Sequence, residues 1–265
     1  MEPGEINHEL VIAAAREVGD MALARWPGKA GAEELKAWAK ADSSPVCEID
    51  LAVDERLKAI LGEIAPDAGW LSEETADDPA RLDRRRLWCV DPIDGTRDYV
   101  RGRKGWCVSI ALIEDGAPVF GVLYAPARDE IWVAERGAGA SLNGDPVHAS
   151  TRTIFAGARV PAVDLPKVDR DLSKVEQPNS IALRMAMVAH DQADLVATLR
   201  WGYEWDIAAA TLIAVEAGAT VTDAFGNPIR YNTPRAQAFG VIASSPYIHD
   251  AVVARLADRA KALAV

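Results

Sequence analysis

Cysteine is scarce: Cys47, Cys89 and Cys107 are odd in number among 265 residues, far apart, and without any C-x-x-C spacing. That excludes a disulfide framework and a cysteine-ligated zinc site, and it predicts a reducing, cytoplasmic setting. Histidine is equally thin. The four residues His8, His148, His190 and His249 form no helical i, i+4 pair, so no histidine metal centre is expected, because metal histidines come clustered. Positive charge is also short, with 29 Lys and Arg against 40 Asp and Glu and a net charge of −11. Nucleic-acid polymers and anionic membranes both need a basic surface, so neither is expected as a partner. No apolar run reaches the roughly 20 residues of a membrane span, and the acidic, polar MEPGEINHEL opening is unlike a signal peptide. Repeats and low-complexity segments are absent from the sequence.

What is present suits an enzyme core. The chain is 49% hydrophobic and long enough for one large or two medium domains. Helical spacing of apolar residues predicts a first amphipathic helix over Ile6 to Trp26, stopped by Pro27 and Gly28, and a second over Val46 to Ile64. Strands are predicted at Trp70 to Glu74 and Leu87 to Val90. The runs Cys107 to Ile113, Val119 to Tyr124 and Glu130 to Val133, split by turn residues, predict hairpins and hence an antiparallel sheet. Asn143-Gly144-Asp145-Pro146 marks a seam, giving an N-terminal α+β domain over 1–146 and a C-terminal α/β domain over 147–265. The second holds a polar stretch near Asp164 to Asn179, a helix around Asp206 to Ala217, the strand Thr220 to Asp223 and a closing helix Ile248 to Leu263.

Chemistry concentrates at Trp88 to Tyr99, WCVDPIDGTRDY. Asp91 and Asp94 stand where a hydrophobic strand runs into a Gly-Thr turn. Carboxylates are the preferred ligands of hard Mg²⁺, which binds one or two of them together with substrate phosphate. Pro92 bends the chain so that both acids and the Ile93 carbonyl can converge. The Gly95 and Thr96 amides would open a turn or short helix whose N–H groups attract an anion. A plain surface turn is the alternative for this motif taken alone. Glu73 and Glu74 at a strand end, Asp206 at a helix start and Asp50 in the second helix are further acids. Each also has a structural explanation, for Asp206 the helix dipole and for Asp50 a solvated helix face.

LSEET at 71–75, WCVDPIDGT at 88–96 and EWDIAAATLIAVEAGA at 204–219 together resemble the inositol monophosphatase superfamily of metal-dependent, lithium-sensitive phosphatases. The resemblance covers nearly the full length and implies an α/β layered sandwich, α-β-α-β-α, with the active site between an N-terminal half of antiparallel sheet and two helices and a C-terminal α/β half. It implies Glu73, Asp91, the Ile93 carbonyl, Asp94 and Asp206 as ligands of two or three Mg²⁺ ions, with Mn²⁺ as a substitute. It also implies Gly95 and Thr96 as a phosphate cradle, and Glu73, Thr96 and Asp50 as the residues that position the attacking water. Two carboxylates about 4 Å apart repel by about 4 kcal/mol at an effective dielectric of 20, so converging acids call for cations. In-line attack by an activated water needs no phosphoenzyme.

Within the superfamily the Arg97-Asp98-Tyr99 sequel, the Asp42-Ser43-Ser44-Pro45-Val46 approach, the Val108 to Pro126 hairpin and Glu204 most resemble bacterial 3'(2'),5'-bisphosphate nucleotidases. Inositol-specific relatives carry an acid about seven positions before the Asp of the W-D motif, where this chain has Thr198, Leu199 and Arg200. Arg97, Arg101, Arg103, Lys104, Arg184 and Arg200 are candidates to meet a second phosphate by bidentate contact, with Arg184 and Glu204 as substrate contacts. Trp201 is the tryptophan nearest the site for base stacking, although packing is the commoner role. The expected partner is a small phosphorylated metabolite, and the usual assembly of such phosphatases is a homodimer. Alternatives are an inositol, sugar or histidinol phosphate phosphatase of the same superfamily, a D-x-D-G-T aspartyl-nucleophile phosphatase, whose acids are one residue closer, and a non-catalytic metal- and phosphate-binding protein.

Overall fold

Asn7 caps the first helix, α1 (His8–Arg25), its side chain accepting from the Glu9 and Leu10 amides. The structure, a computed structural model, describes residues 6–28, 35–39 and 45–264; the Asp42 to Ser44 approach lies outside them. Strand β1 (Ala37–Ala39) pairs antiparallel with β2 (Pro45–Cys47). The latter feeds directly into α2 (Glu48–Ile64), so Val46 and Cys47, predicted helical, are extended.

A seven-stranded sheet follows: β3 (Gly69–Ser72), β4 (Arg86–Asp94), β5 (Cys107–Glu114), β6 (Ala117–Ala125), β7 (Glu130–Glu135), β8 (Gly139–Leu142) and β9 (Asp145–Pro146), in that spatial order. Only the β3–β4 pair is parallel, and β4 to β9 form the predicted antiparallel run. Strand alternation sorts the core. Trp88, Val90, Ile110, Phe120 and Val122 pack beneath α1 and α2 against Val11, Val18, Val53 and Leu57. Their neighbours Leu87, Cys89, Ala111 and Leu123 face the other way.

On that second face lie α4 (Ile181–Ala189) and α5 (Glu204–Glu216), reached after a short helix α3 (Thr96–Val100) at the end of β4. The polar stretch between the halves holds one parallel pair, β10 (Arg159–Pro161) with β11 (Ser173–Val175). α5 sits close because β6 has glycine beneath it: a Cβ on Gly121 would stand 3.1 Å from the Ala209 backbone. Beyond these helices comes a sheet of β12 (Leu195–Tyr203), β13 (Thr220–Thr222) and β14 (Gln237–Ser244), antiparallel, with β14 central. Val241 and Ala243 of β14 face α4 and α5, whereas Ile242 faces the last helix, α6 (His249–Leu263), through Ile248, Val252 and Leu256. Five layers result, α-β-α-β-α, in the predicted order.

Candidate active site

Registered pairing puts Ser72 of β3 beside Val90 of β4, so the next residues, Glu73 and Asp91, leave the parallel strand ends level with each other. Asp91 and Asp94 are three apart, and on a regular strand they would point to opposite faces. The ladder to β5 corrects this. Asp91 stands opposite Ser109 and Asp94 opposite Cys107, so β4 carries one extra residue at Pro92–Ile93, and the bulge turns both acids to one side. Proline, lacking an N–H, suits that interruption. Gly95 then turns the chain with φ of 96°, where a Cβ would lie 2.5 Å from the Gly105 carbonyl oxygen; glycine alone fits.

Glu73, Asp91, Ile93, Asp94, Gly95, Thr96 and Asp206, the third residue of α5, all line one cavity of about 200 Å³. Arg97, Arg184 and Arg200 bring positive charge to the same wall. Asp94 is the best held acid: Ser180 Oγ and the Ala182 amide, at the N-terminus of α4, both donate to its Oδ2. Burial pushes its pKa up, those hydrogen bonds and Arg184 pull it down, and it settles at about 6. Asp91 and Asp206 lie well above the usual carboxylate range, first because of burial and then because of the surrounding acids, Glu73 and Asp94 among them. Among the described residues no three such side chains are already drawn around one point as a bound cation would draw them. The donor set nevertheless fits a hard divalent cation: it is all oxygen, and it carries mutual repulsion that such an ion relieves.

Asp50 stands behind this wall, 1% exposed, and is no solvated helix face. Its Oδ2 accepts the Cys47 amide and thiol, both at 2.8 Å. Its Oδ1 is 3.4 Å from Thr96 Oγ1, which also lies 3.0 Å from the Ile93 carbonyl; the single hydroxyl proton serves one acceptor at a time.

Glu204 departs from its expected role. Fully buried at the start of α5, it accepts the amides of Asn232 (2.7 Å) and Thr233 (3.0 Å) and the Thr233 hydroxyl, and it does not line the cavity. It secures the 232–233 turn rather than a substrate. Asp54 was missed: one turn after Asp50, it accepts the Ser72 and Thr75 hydroxyls and so braces the segment bearing Glu73 and Glu74. Its spacing from Asp50 on a helix was the available signal. Ser180 carried no sequence signal at all.

Stacked sheets and helices that place hard oxygen donors, a glycine turn and arginines around one small pocket define a metal-dependent phosphate-handling hydrolase. The sequence model of the Inositol monophosphatase family matches residues 7–262, and the chain belongs to that family. It is accordingly a metal-dependent phosphoric monoester hydrolase. The 3'(2'),5'-bisphosphate nucleotidase CysQ of Salmonella typhimurium is 34% identical over 240 residues, 86% of this chain and 94% of that one. The Nus factor SuhB of Xylella fastidiosa is 33% identical over 229 residues, 81% of this chain and 80% of that one. Among solved structures, a Thermotoga maritima IMPase superposes with a TM-score of 0.81 at 28% identity, covering 97% of this chain and 98% of that one. Among the described residues no helix is long and apolar enough to cross a membrane.

Proposed function

We propose that this phosphatase is a 3'(2'),5'-bisphosphate nucleotidase, converting 3'-phosphoadenosine 5'-phosphate to AMP and phosphate in the cytoplasm. The observation that carries the reading is Arg200. It lines the catalytic cavity in the stretch where inositol-specific relatives have an acid to accept a ring hydroxyl, and a cation there favours an anionic substrate over a neutral polyol ring. The CysQ relative, matched over 94% of its length, agrees with this.

Glu73, Asp91, Asp94, Asp206 and the Ile93 carbonyl would hold two or three Mg²⁺, or Mn²⁺ in their place. When bound, these ions supply Lewis acidity toward water and the phosphoryl oxygens. The remaining work falls to the chain. The Gly95 and Thr96 amides, at the first turn of α3, hold phosphoryl oxygens. Thr96 Oγ1, its proton given to Ile93 O or to Asp50, accepts from the attacking water and, together with Glu73 on the same cavity wall, positions it. Arg184 and Arg200 neutralise substrate charge. A homodimer is part of the same reading and is checked by light scattering.

The test is phosphate release from 3'-phosphoadenosine 5'-phosphate, inositol 1-phosphate, fructose 1,6-bisphosphate and histidinol phosphate, with Mg²⁺ and with or without lithium. A clear preference for the nucleotide, suppressed by lithium, is expected. Preference for another of the four overturns the substrate assignment, and a trapped phosphoenzyme overturns the mechanism.

A further inference from the structure

Glu73 follows a strand of the first sheet and Asp206 belongs to a helix packed on that sheet's second face, so the acids of one pocket come from distant parts of the chain. They oppose each other: burial first, and then Asp94 and Glu73, hold the Asp206 carboxyl well above the usual carboxylate range. A buried arginine bridges the two parts. Arg81, 2% exposed, sits in a one-turn 3-10 helix, Pro79–Asp83, on the segment that follows Glu73. Its guanidinium grips Asp77 twice, Nε donating to Oδ1 at 2.5 Å and Nη2 to Oδ2 at 3.0 Å. It also crosses to the C-terminal half, where Nη1 donates to Asn232 Oδ1 at 2.7 Å and Nη2 to the Thr233 carbonyl at 3.0 Å. Asn232 returns the contact through its Nδ2, which donates to Arg81 O at 3.1 Å. The amides of these same two residues are the ones Glu204 accepts at the start of α5, two positions before Asp206. A continuous run of contacts thus leads from the Glu73 segment to the Asp206 helix: Asp77, Arg81, the 232–233 turn, Glu204. The strand before Glu73 leaves room for it, since a Cβ on Gly69 of β3 would stand 3.1 Å from Arg81 Cβ and 3.2 Å from its Cα. Arg81 does not itself line the catalytic cavity.

A buried ion pair is a poor source of stability, because desolvation takes back most of the Coulombic gain and apolar residues of similar volume often serve as well. What a guanidinium adds is geometry, its planar fork fixing several acceptors in one arrangement. We propose that Arg81 is a positioning residue that sets the separation of Glu73 and Asp206 in the metal-free enzyme and, through it, the affinity for divalent cations. Small errors of placement matter here, since Mg²⁺ demands near-ideal octahedral geometry with ligands at about 2.0–2.1 Å. The proposal rests on the assignment of Glu73 and Asp206 as cation ligands and deepens it: the mutual repulsion of the acids is borne by a clasp outside the pocket, so the site keeps its shape until the cations arrive.

The experiment titrates Mn²⁺ calorimetrically into the metal-free full chain, as wild type, Arg81→Lys, Asn232→Gly and the double variant. Arg81→Lys keeps the charge and loses the fork. Asn232→Gly tolerates the left-handed backbone (φ 59°) and keeps the amide that Glu204 accepts, but removes both side-chain bonds to Arg81. Each single variant should weaken Mn²⁺ binding about tenfold or more, the usual loss when a residue supporting metal ligands is changed. The double variant should be little weaker than either, because partners in one network do not add. Arg159→Lys is the control for plain structural damage. That arginine pairs with Asp191 and Asp194 and does not line the cavity, so its loss should lower the melting temperature and leave Mn²⁺ affinity alone. Half-maximal phosphate release by Arg81→Lys should need more Mg²⁺ by the factor seen in calorimetry, with kcat at saturating Mg²⁺ close to wild type. Unchanged Mn²⁺ affinity in a destabilised Arg81→Lys overturns the proposal, as do fully additive losses in the double variant or an equal loss in Arg159→Lys. Should Arg81→Lys fail to fold, Asn232→Gly alone decides by the same criterion. A wild type that binds no Mn²⁺ overturns the ligand assignment and this inference with it, whereas equal binding by wild type and variants overturns this inference alone.

Discussion

Asp91 is held against its own preference, buried at 1% exposure with Glu73, Asp94 and Asp206 opposing its ionisation. Asp91→Asn keeps the oxygen that accepts the Ile93 amide while removing one repelling charge. In EDTA it should therefore raise stability by roughly 0.5–2 kcal/mol, the usual yield of relieving a functional strain. Phosphate release with Mg²⁺ should nevertheless fall on the order of 100-fold or more, since even supporting groups around a metal site cost 10–100-fold. Thermal melts and a phosphate assay on one preparation check both signs. Gly95→Ala combines a left-handed backbone with a Cβ 2.5 Å from Gly105 O and should cost more than about 1 kcal/mol, with loss of activity as α3 is displaced. At this scale the sequence was informative. Asp and Glu beside Gly and Pro name their chemistry through residue type and spacing: Glu73, Asp91, Asp94 and Asp206 of the three motifs border the cavity and Asp50 stands behind Thr96, whereas Glu74, Glu204 and Glu216 do not line it. Glu204 misled because a carboxylate next to a motif looks the same whether it faces a ligand or two backbone amides.

The bulge in β4 was not legible, because nothing in V-D-P-I-D says which residue drops out of register; the partner strand decides that. Helix α4 escaped for a different reason. Pressed between two sheets, it is buried at every position but Arg184, so it has no polar face and no 3.6-residue rhythm to detect. β14 is likewise apolar on both sides, which periodicity alone cannot assign. The hairpins β5–β6–β7 were legible through their turn residues. Ser180 joins these elements: it caps α4 through the Leu183 amide and donates to Asp94. Ser180→Ala should cost about 1 kcal/mol as a lost cap. It should also move the acidic limb of the pH–rate profile upward, because the Ser180 hydrogen bond lowers the Asp94 pKa. A cap with no catalytic link would leave the profile where it was.

Over the whole molecule, two groups of acids give opposite pH dependence. Asp94, raised from 3.8 to about 6, binds its proton more tightly in the folded chain. Its contribution is full below the unfolded value and is lost as pH rises from about 4 through 6. Denaturant titrations in EDTA should show stability falling across that window by on the order of 2–3 kcal/mol, with Mg²⁺ flattening the slope. Asp194 behaves in reverse. Burial raises its pKa, but Arg159 and Ser150 outweigh that and bring it to about 2. Its share is present above pH 4 and disappears as pH drops toward 2, so Asp194→Asn should remove the acid limb of a melting-temperature profile.

The bond from Ser180 to Asp94 joins residues 86 apart in the chain. A ribosome that has released everything up to β9 has therefore made most of the acids but not their clasp, and the residue that closes the ring, Asp206, comes later still. Hydrolytic competence must arrive late in synthesis, and a truncated product lacking the final third should be inert however well its first sheet has formed.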